Sequence, residues 1–527
     1  MNRLLIPTLL VILTSLGSAE RPNILVVLTD DLGYSDLGCY GSEIDTPVLD
    51  KLAANGLRFR NFYNTAKCHS SRVSLLTGRW CRQAGDESMA RAVTIPEALR
   101  PAGYFTAMTG KWHLAKQPTD FGFDRFFGHL SGATHFYKGD NTFRLNGQPW
   151  QVPDEGFYTT IANTDFALKF LSEARETKKP WFLYIAYNAP HAPIQPLKED
   201  YEKYRERYQI GWDAIQSQRT AKQRKIGLLP DGARASPRPD HIPAWADLTD
   251  DLRDWESRRM AGYAGMIDRV DRELGRIVGQ LEQTGQLDNT IIFFFSDNGA
   301  CPFDRQNIRR DLPPHDPATK WTDSTGWAWA RNAPFRFYKQ NQFEGGIATP
   351  AIVHWPAGLK AKPGAVDSTP AHLVDVLPTL LDLSGVENPA TFPGREPTPL
   401  AGVSLAPILS GKPLGPRPPI HFLFENDRAL RDGDWKIVSF RGGPWELYHM
   451  GKDPTELHNL AAQHPDRVAL MSAEWHRMAK EVLMAPAKEQ QPVSAAQTPK
   501  SHQQWSNYSA KSGDDTSRRN QRQKPSP

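Results

Sequence analysis

The apolar positions along this chain change period several times, and each change marks an element. Asn23-Ile-Leu-Val-Val-Leu-Thr29 is an unbroken apolar run too short for a helix, and residues 181–187 and 290–296 repeat the pattern. Such runs predict strands buried on both faces, as in a parallel sheet. Residues 57–63, 104–109 and 350–355 read as further strands. Between them, apolar residues recur at helical spacing. The longest such segment is 255–282, where Met260, Tyr263, Ala264, Ile267, Val270, Leu274, Ile277 and Val278 fall on one face. Residues 159–176 predict another helix, and 372–383 one kinked at Pro378. Thr46-Pro47 opens a helix with a cap and a proline in its first turn, and Thr94-Ile-Pro-Glu97 has the form of a capping box.

Strands and helices thus alternate, which predicts an α/β fold with a sheet flanked by helices. The alternation breaks at residues 198–254, a charged stretch read as a peripheral insertion in a main domain spanning 20–414. From residue 415 the texture changes to short alternating segments at 420–424, 435–440 and 445–448, then a helix over 465–484. This predicts a smaller antiparallel-sheet subdomain over 415–485.

Composition adds an address. Residues 1–19 join Arg3 to an apolar run and end in Gly17-Ser18-Ala19, the pattern of a secretory signal peptide. No other apolar run approaches membrane length, so the expectation is an exported protein, periplasmic or extracellular, with no membrane span. The net charge is +4, yet from Lys488 onward seven Lys or Arg stand against three acidic residues. The body is therefore about neutral, which argues against a nucleic-acid partner. The segment 486–527, rich in Gln, Ser and Pro, reads as a disordered basic tail. Four cysteines, Cys39, Cys68, Cys81 and Cys301, are too few for a disulfide framework.

Candidate chemistry gathers at strand ends. Asp30-Asp31 follows the run at 23–29, and Asp297-Asn298 follows the run at 290–296. Ligands bind at the carboxyl edge of open α/β sheets. Two oxygen-ligand pairs delivered to that edge form a plausible cage for Ca²⁺, with Mg²⁺ as the alternative. Lys111 and His113 follow the strand at 104–109, offering a fixed cation and a group that moves protons near neutral pH. His191 is presented by a proline-rich loop after the strand at 181–187. Cys68 falls at the start of a short helix, where unpaired N–H groups and the positive dipole end favour an anion. Arg72 lies one turn further on. Trp321, Trp327 and Trp329 lie in a loop over 300–334; exposed, they could stack on sugars, but packing against the body is the preferred reading.

Cys68-His69-Ser70-Ser71-Arg72, followed by Leu76-Thr77-Gly78-Arg79, resembles the sulfatase signature, with Ser70 where that family usually carries Pro. Gly110-Lys111-Trp112-His113-Leu114 and the spacing of Lys339 before Glu344-Gly345-Gly346 also resemble that family. The resemblance runs over about residues 23–485 and implies an alkaline-phosphatase-like α/β fold. It implies that Cys68 is converted by a formylglycine-generating enzyme to formylglycine, whose hydrated aldehyde is the nucleophile. It further implies that Arg72, Lys111 and Lys339 bind sulfate and that Cys68 joins Asp30, Asp31, Asp297 and Asn298 at the metal. His191 would assist the leaving group, and His113 would take a proton to expel sulfate. The expected substrate is an aryl sulfate or, in preference, a sulfated carbohydrate. A phosphate or phosphonate ester hydrolase and a silent protein that binds sulfated glycans are the alternatives.

Overall fold

The computed structural model describes residues 21–492, apart from Gln306, together with Tyr508. The expected signal peptide at 1–19 lies outside the described residues, as does most of the tail. The chain is built on a ten-stranded sheet. Its middle is parallel and runs, side by side, Thr290–Ser296, Asn23–Thr29, Trp181–Ala186, Phe105–Lys111 and Arg125–His129. Ala351–His354 joins Thr290–Ser296 antiparallel, making the sheet mixed.

The unbroken apolar runs are explained by burial on both faces. Leu25 and Val27 enter the core on one side of the sheet, and Ile24, Val26 and Leu28 the core on the other. Successive strand residues point to opposite faces, so only an all-apolar run satisfies both layers. Each such side chain contributes about 1.5–3 kcal/mol on burial. The long helix Asp250–Gln283 covers one face with the stripe read from sequence, its Tyr263, Ile267, Leu274 and Ile277 fully buried.

Several elements differ from the sequence reading. The strand at 57–63 is two strands, Leu57–Phe59 and Phe62–Tyr63, the second pairing with Ala371–His372 in a separate ribbon. Pro378 sits in the first turn of Val376–Ser384, where no intrahelical N–H is needed, so it starts the helix and does not kink it. The 198–254 segment breaks the alternation but is not peripheral in packing. It carries helices Lys198–Tyr204 and Gly211–Lys225, and Tyr204, Tyr208 and Trp212 are fully buried. Arg219 from the second helix forms buried ion pairs with Asp36 and Glu43. The three loop tryptophans are buried too, at 0%, 2% and 4% exposure for Trp321, Trp327 and Trp329, so they are packing residues and not sugar platforms.

The C-terminal part is a four-stranded antiparallel sheet, Ile420–Phe424, Asp427–Asp432, Trp435–Ser439 and Glu446–His449. Helix Pro465–Glu481 packs on it through Met471, Trp475 and Met478. Lys436 fixes this sheet to the main domain by bonding both Glu344 and Glu456, at 2.7 Å each. The segment expected as a tail from 486 begins with a short helix, Ala487–Gln490, and Glu489 pairs with Arg82. Farther along it, Tyr508 packs beside Trp212 and accepts a 2.8 Å hydrogen bond from the Gly326 N–H. All four cysteines are free, so the one bridge that Cys39, Cys81 and Cys301 could supply is not formed.

Candidate active site

Thr29 and Ser296 end neighbouring parallel strands in register, so the residues after them emerge side by side. Asp30, Asp31, Asp297 and Asn298 are all fully buried at that edge. Asp31 adopts a left-handed backbone, φ 66°, a cost that accompanies an N–H donated to Asp297 Oδ1 and a side chain that accepts from Asn298.

Asp297 has both oxygens satisfied, by the Asp31 N–H and Arg72, but the other three side chains are satisfied on one side only. The Lys111 ammonium bonds Asp30 Oδ2, and the Lys339 ammonium bonds Asp31 Oδ1. Asn298 donates from Nδ2 to Asp31 Oδ1 at 2.6 Å. Arg72 reaches Asp297 Oδ2 at 2.9 Å and the Lys111 carbonyl at 2.8 Å. Left over, buried and without a hydrogen-bond partner, are Asp30 Oδ1, Asp31 Oδ2 and Asn298 Oδ1. Three orphaned oxygens in one buried place are costly unless something else binds them. Hard oxygen donors fit a Ca²⁺ or Mg²⁺ ion.

The electrostatics point the same way. Burial works against the charged form of Asp30, but Lys111, with His191 and Arg72, outweighs it and holds the carboxyl well below its usual range. Asp31 is likewise held low against burial, chiefly by Lys339. Asp297 goes the other way, pushed well above the usual range by burial and by the Asp30 charge, which Arg72 does not offset. The side-chain cations equal the three carboxylates in number but do not outweigh the burial of Asp297, and a divalent cation beside it would favour its charged form.

Cys68 is the first residue of helix Cys68–Thr77, with Lys67 extended ahead of it. Its sulfur and ligand oxygens of Asp30 and Asp297 lie within 4.8 Å of one another. Burial raises the Cys68 pKa, but Lys111 and Lys339 more than reverse this, so the position favours negative charge. The rest of the motif holds the helix in place. Ser71 Oγ accepts from the Thr65 N–H at 3.0 Å, and Ser70 Oγ donates to the Lys67 carbonyl at 3.0 Å. Gly78 ends the helix in the left-handed region, φ 64°, and the buried Arg79 donates to the carbonyls of Thr398 and Thr77.

Lys111 is the last residue of its strand, whereas His113 comes after a buried Trp112 with φ 56°. Both reach the site, His113 through this left-handed turn and not through strand alternation. Ligand atoms of His113, His69 and Cys68 lie within 4.8 Å of one another, and His113 Nδ1 is buried without a partner. Gly132 packs over the ring: a Cβ there would stand 2.6 Å from His113 Nε2. Burial, Lys111 and Arg72 together hold His113 well below its usual pKa, so it is neutral and able to accept a proton. His191 turns Nδ1 to the Ala192 carbonyl at 2.6 Å and lies with Nε2 3.6 Å from Asp31 Oδ2.

Asp30, Asp31, Cys68, Arg72, Lys111, His113, His191, Asp297, Asn298 and Lys339, all ten named from sequence, therefore meet at one sheet edge. Sequence reading missed Lys67 and His69, although both flank Cys68. It also missed Phe424, whose ring in the C-terminal sheet lies 6.5 Å from His69 and 5.9 Å from the Lys67 ammonium. No local signal places that hairpin here. Ser131 and His135, in the loop after Arg125–His129, make hydrogen bonds to Asp140 and to the Pro317 carbonyl.

An α/β fold with carboxylates, a helix-start cysteine and three cations at the sheet edge fits a class: hydrolases of tetrahedral oxyanion esters. Within it, the sulfatase family model matches residues 22–386, and the model of the N-sulphoglucosamine sulphohydrolase C-terminal region matches 335–482. The chain belongs to the sulfatase family and has its alkaline-phosphatase-like fold. It is 32% identical over 523 residues to an uncharacterized sulfatase of Schizosaccharomyces pombe, covering 87% of this chain and 93% of that one. It is 30% identical over 440 residues to an arylsulfatase of Klebsiella aerogenes, covering 75% of this chain and 93% of that enzyme. A crystal structure of Ps i-CgsB in complex with k-i-k-neocarrahexaose superposes with a TM-score of 0.65 at 25% identity, over 90% of this chain and 96% of that one. Among the described residues no helix is long and apolar enough to cross a membrane.

Proposed function

We propose that this sulfatase is exported, carries formylglycine at position 68, holds Ca²⁺ and releases sulfate from a sulfated carbohydrate. The observation that carries the reading is the set of three orphaned oxygens facing the start of the Cys68 helix among matched cations. Asp30, Asp31, Asp297 and Asn298 would hold the metal, which would supply Lewis-acid stabilisation of the sulfate oxygens. The Cys68 sulfur stands in for the oxygen of formylglycine, installed by a formylglycine-generating enzyme, which would supply a nucleophile able to shed sulfate without hydrolysis at sulfur.

The chain's own residues do the rest. Arg72, Lys111 and Lys339 neutralise charge on the ester oxygens as it develops. His191, oriented by the Ala192 carbonyl, presents Nε2 and in its protonated form donates to the leaving oxygen. His113, kept neutral, accepts the proton whose removal releases sulfate. The carbohydrate preference is supported by the oligosaccharide complex of the similar solved structure.

The test is sulfate release by ion chromatography from a panel of sulfated sugars and aryl sulfates, beside the matching phosphate esters. Sulfate release that exceeds phosphate release is expected. Preference for phosphate, or sugar binding with no release after co-expression with a maturation enzyme, would overturn the reading.

A further inference from the structure

Every cation deep in the site has a carboxylate of its own: Lys111 has Asp30, Lys339 has Asp31 and Arg72 has Asp297. Lys67 does not. It immediately precedes Cys68, is half-buried, and among the described residues no acceptor pairs with its ammonium, which lies over the ring of Phe424 at 5.9 Å from its centre. A half-buried cation with no acceptor is costly, and such costs persist where a ligand relieves them.

Charge balance narrows what that ligand is. With Asp297 ionised beside a bound divalent cation, Asp30, Asp31 and Asp297 are matched by Arg72, Lys111 and Lys339, so these six groups are neutral together. A divalent ion on the orphaned oxygens would leave the site two charges positive. A sulfate monoester brings one negative charge, and Lys67 adds a further positive one. Neither Glu87 nor Glu425, the acidic residues near His69 and Phe424, forms an ion pair with Lys67. His69 is held at about 4 by burial, Glu87 is 3.5 Å from His69, and Glu425 is exposed at the hairpin tip.

We infer that Lys67, with Phe424 beneath it and His69 beside it, forms a subsite for a second anionic group of the substrate. The preferred ester is then a polyanionic sugar that carries another sulfate or a carboxylate near the sulfate that is cleaved. Phe424 offers the apolar face of that sugar a surface, which assigns the C-terminal subdomain a direct part in specificity. This deepens the proposed sulfatase reading and rests on it.

The test avoids dependence on the unknown sugar by measuring binding to the mature, Ca²⁺-loaded enzyme. Calorimetry at fixed ionic strength compares alkane-α,ω-disulfonates of two to four carbons, and the matching sulfonate-carboxylates, with the corresponding monosulfonates. The wild type is expected to bind the best dianion at least about tenfold more tightly than its monoanion, beyond the twofold given by two equivalent ends. Lys67→Met should reduce that ratio to about twofold, and Lys67→Arg should restore most of it. The sulfonate-carboxylates tell whether the second group is sulfate-like or a carboxylate. Equal weakening of monoanion and dianion in Lys67→Met would assign Lys67 to the cleaved sulfate and overturn the inference. So would a wild type with no dianion preference. Failure of the sulfatase reading looks different: the dianion preference would stand while no ester in the panel released sulfate.

Discussion

Two buried charge clusters in this molecule have similar composition and opposite finish. In the first, Glu344 and Glu456 share Lys436, and every carboxylate oxygen has a partner. Lys436 takes one oxygen of each, Tyr63 donates to the second of Glu344, and the Glu344 N–H donates to the second of Glu456. In the second, Asp30, Asp31, Asp297 and Asn298 face Lys111, Lys339 and Arg72, and three oxygens have none. The closed cluster joins the C-terminal sheet to the main domain. The open one keeps its spare valence for something that is not protein. Equal burial with unequal satisfaction separates a structural ion network from a binding site.

The comparison can be broken at either end. The largest effect is expected at the open cluster. Asp31→Asn removes a ligand and the partner of Lys339, and sulfate release should fall by about three orders of magnitude. The calorimetric signature of Ca²⁺ binding should disappear with it. A variant that still binds Ca²⁺ as the wild type does would place the ion elsewhere. Glu456→Gln, at the closed cluster, should change the rate by no more than severalfold.

Next in size is stability. Lys436→Met strands two buried carboxylates and should cost about 3–5 kcal/mol, read as a lower denaturation midpoint. Replacing Glu344 and Glu456 by Gln in the same chain should recover most of that loss. A single Lys436→Met variant as stable as the wild type would mean that the network does not hold the subdomain.

The smallest effect is in pH dependence. Burial and the Glu344 charge, against Lys436, push Glu456 from its ordinary 4.5 up to about 7. The folded chain therefore binds more protons than the unfolded chain between those values, and this group's contribution to stability falls as pH rises from 4.5 toward 7. Glu344 is shifted in the same direction by its burial. Glu456→Gln should flatten that part of the stability profile; an unchanged slope would show that other groups set it.

Much of the open cluster was legible because its supports are local. The strands at 23–29 and 290–296 announce themselves as unbroken apolar runs, and the ligand pairs follow directly in the chain. The helix start at Cys68 was legible from the polar-to-apolar change around it. The missed parts depend on distant contacts. Strand Asp427–Asp432 carries four charged residues of six and reads as a loop, yet Arg428 is buried against Trp445 and Trp475, and Arg431 against Tyr63. The 198–254 segment did hold a signal: the aromatic residues Tyr204, Tyr208 and Trp212 recur every four residues, and all three are buried although they fall in three successive short elements. The break inside 57–63 arises because Phe62 and Tyr63 leave the main sheet to pair with a strand more than three hundred residues later. Lys67 looked like an ordinary polar residue until the cations around it were seen to be matched.

The most direct test of the account is the chemical state of residue 68 in protein produced with a formylglycine-generating enzyme. A Glu-specific protease releases the peptide from Ile44 to Glu87, which contains both Cys68 and Cys81. The account predicts a mass spectrum in which position 68 is the aldehyde and Cys81 is still a thiol. Thiol at both positions, in a preparation that nevertheless releases sulfate, would contradict it.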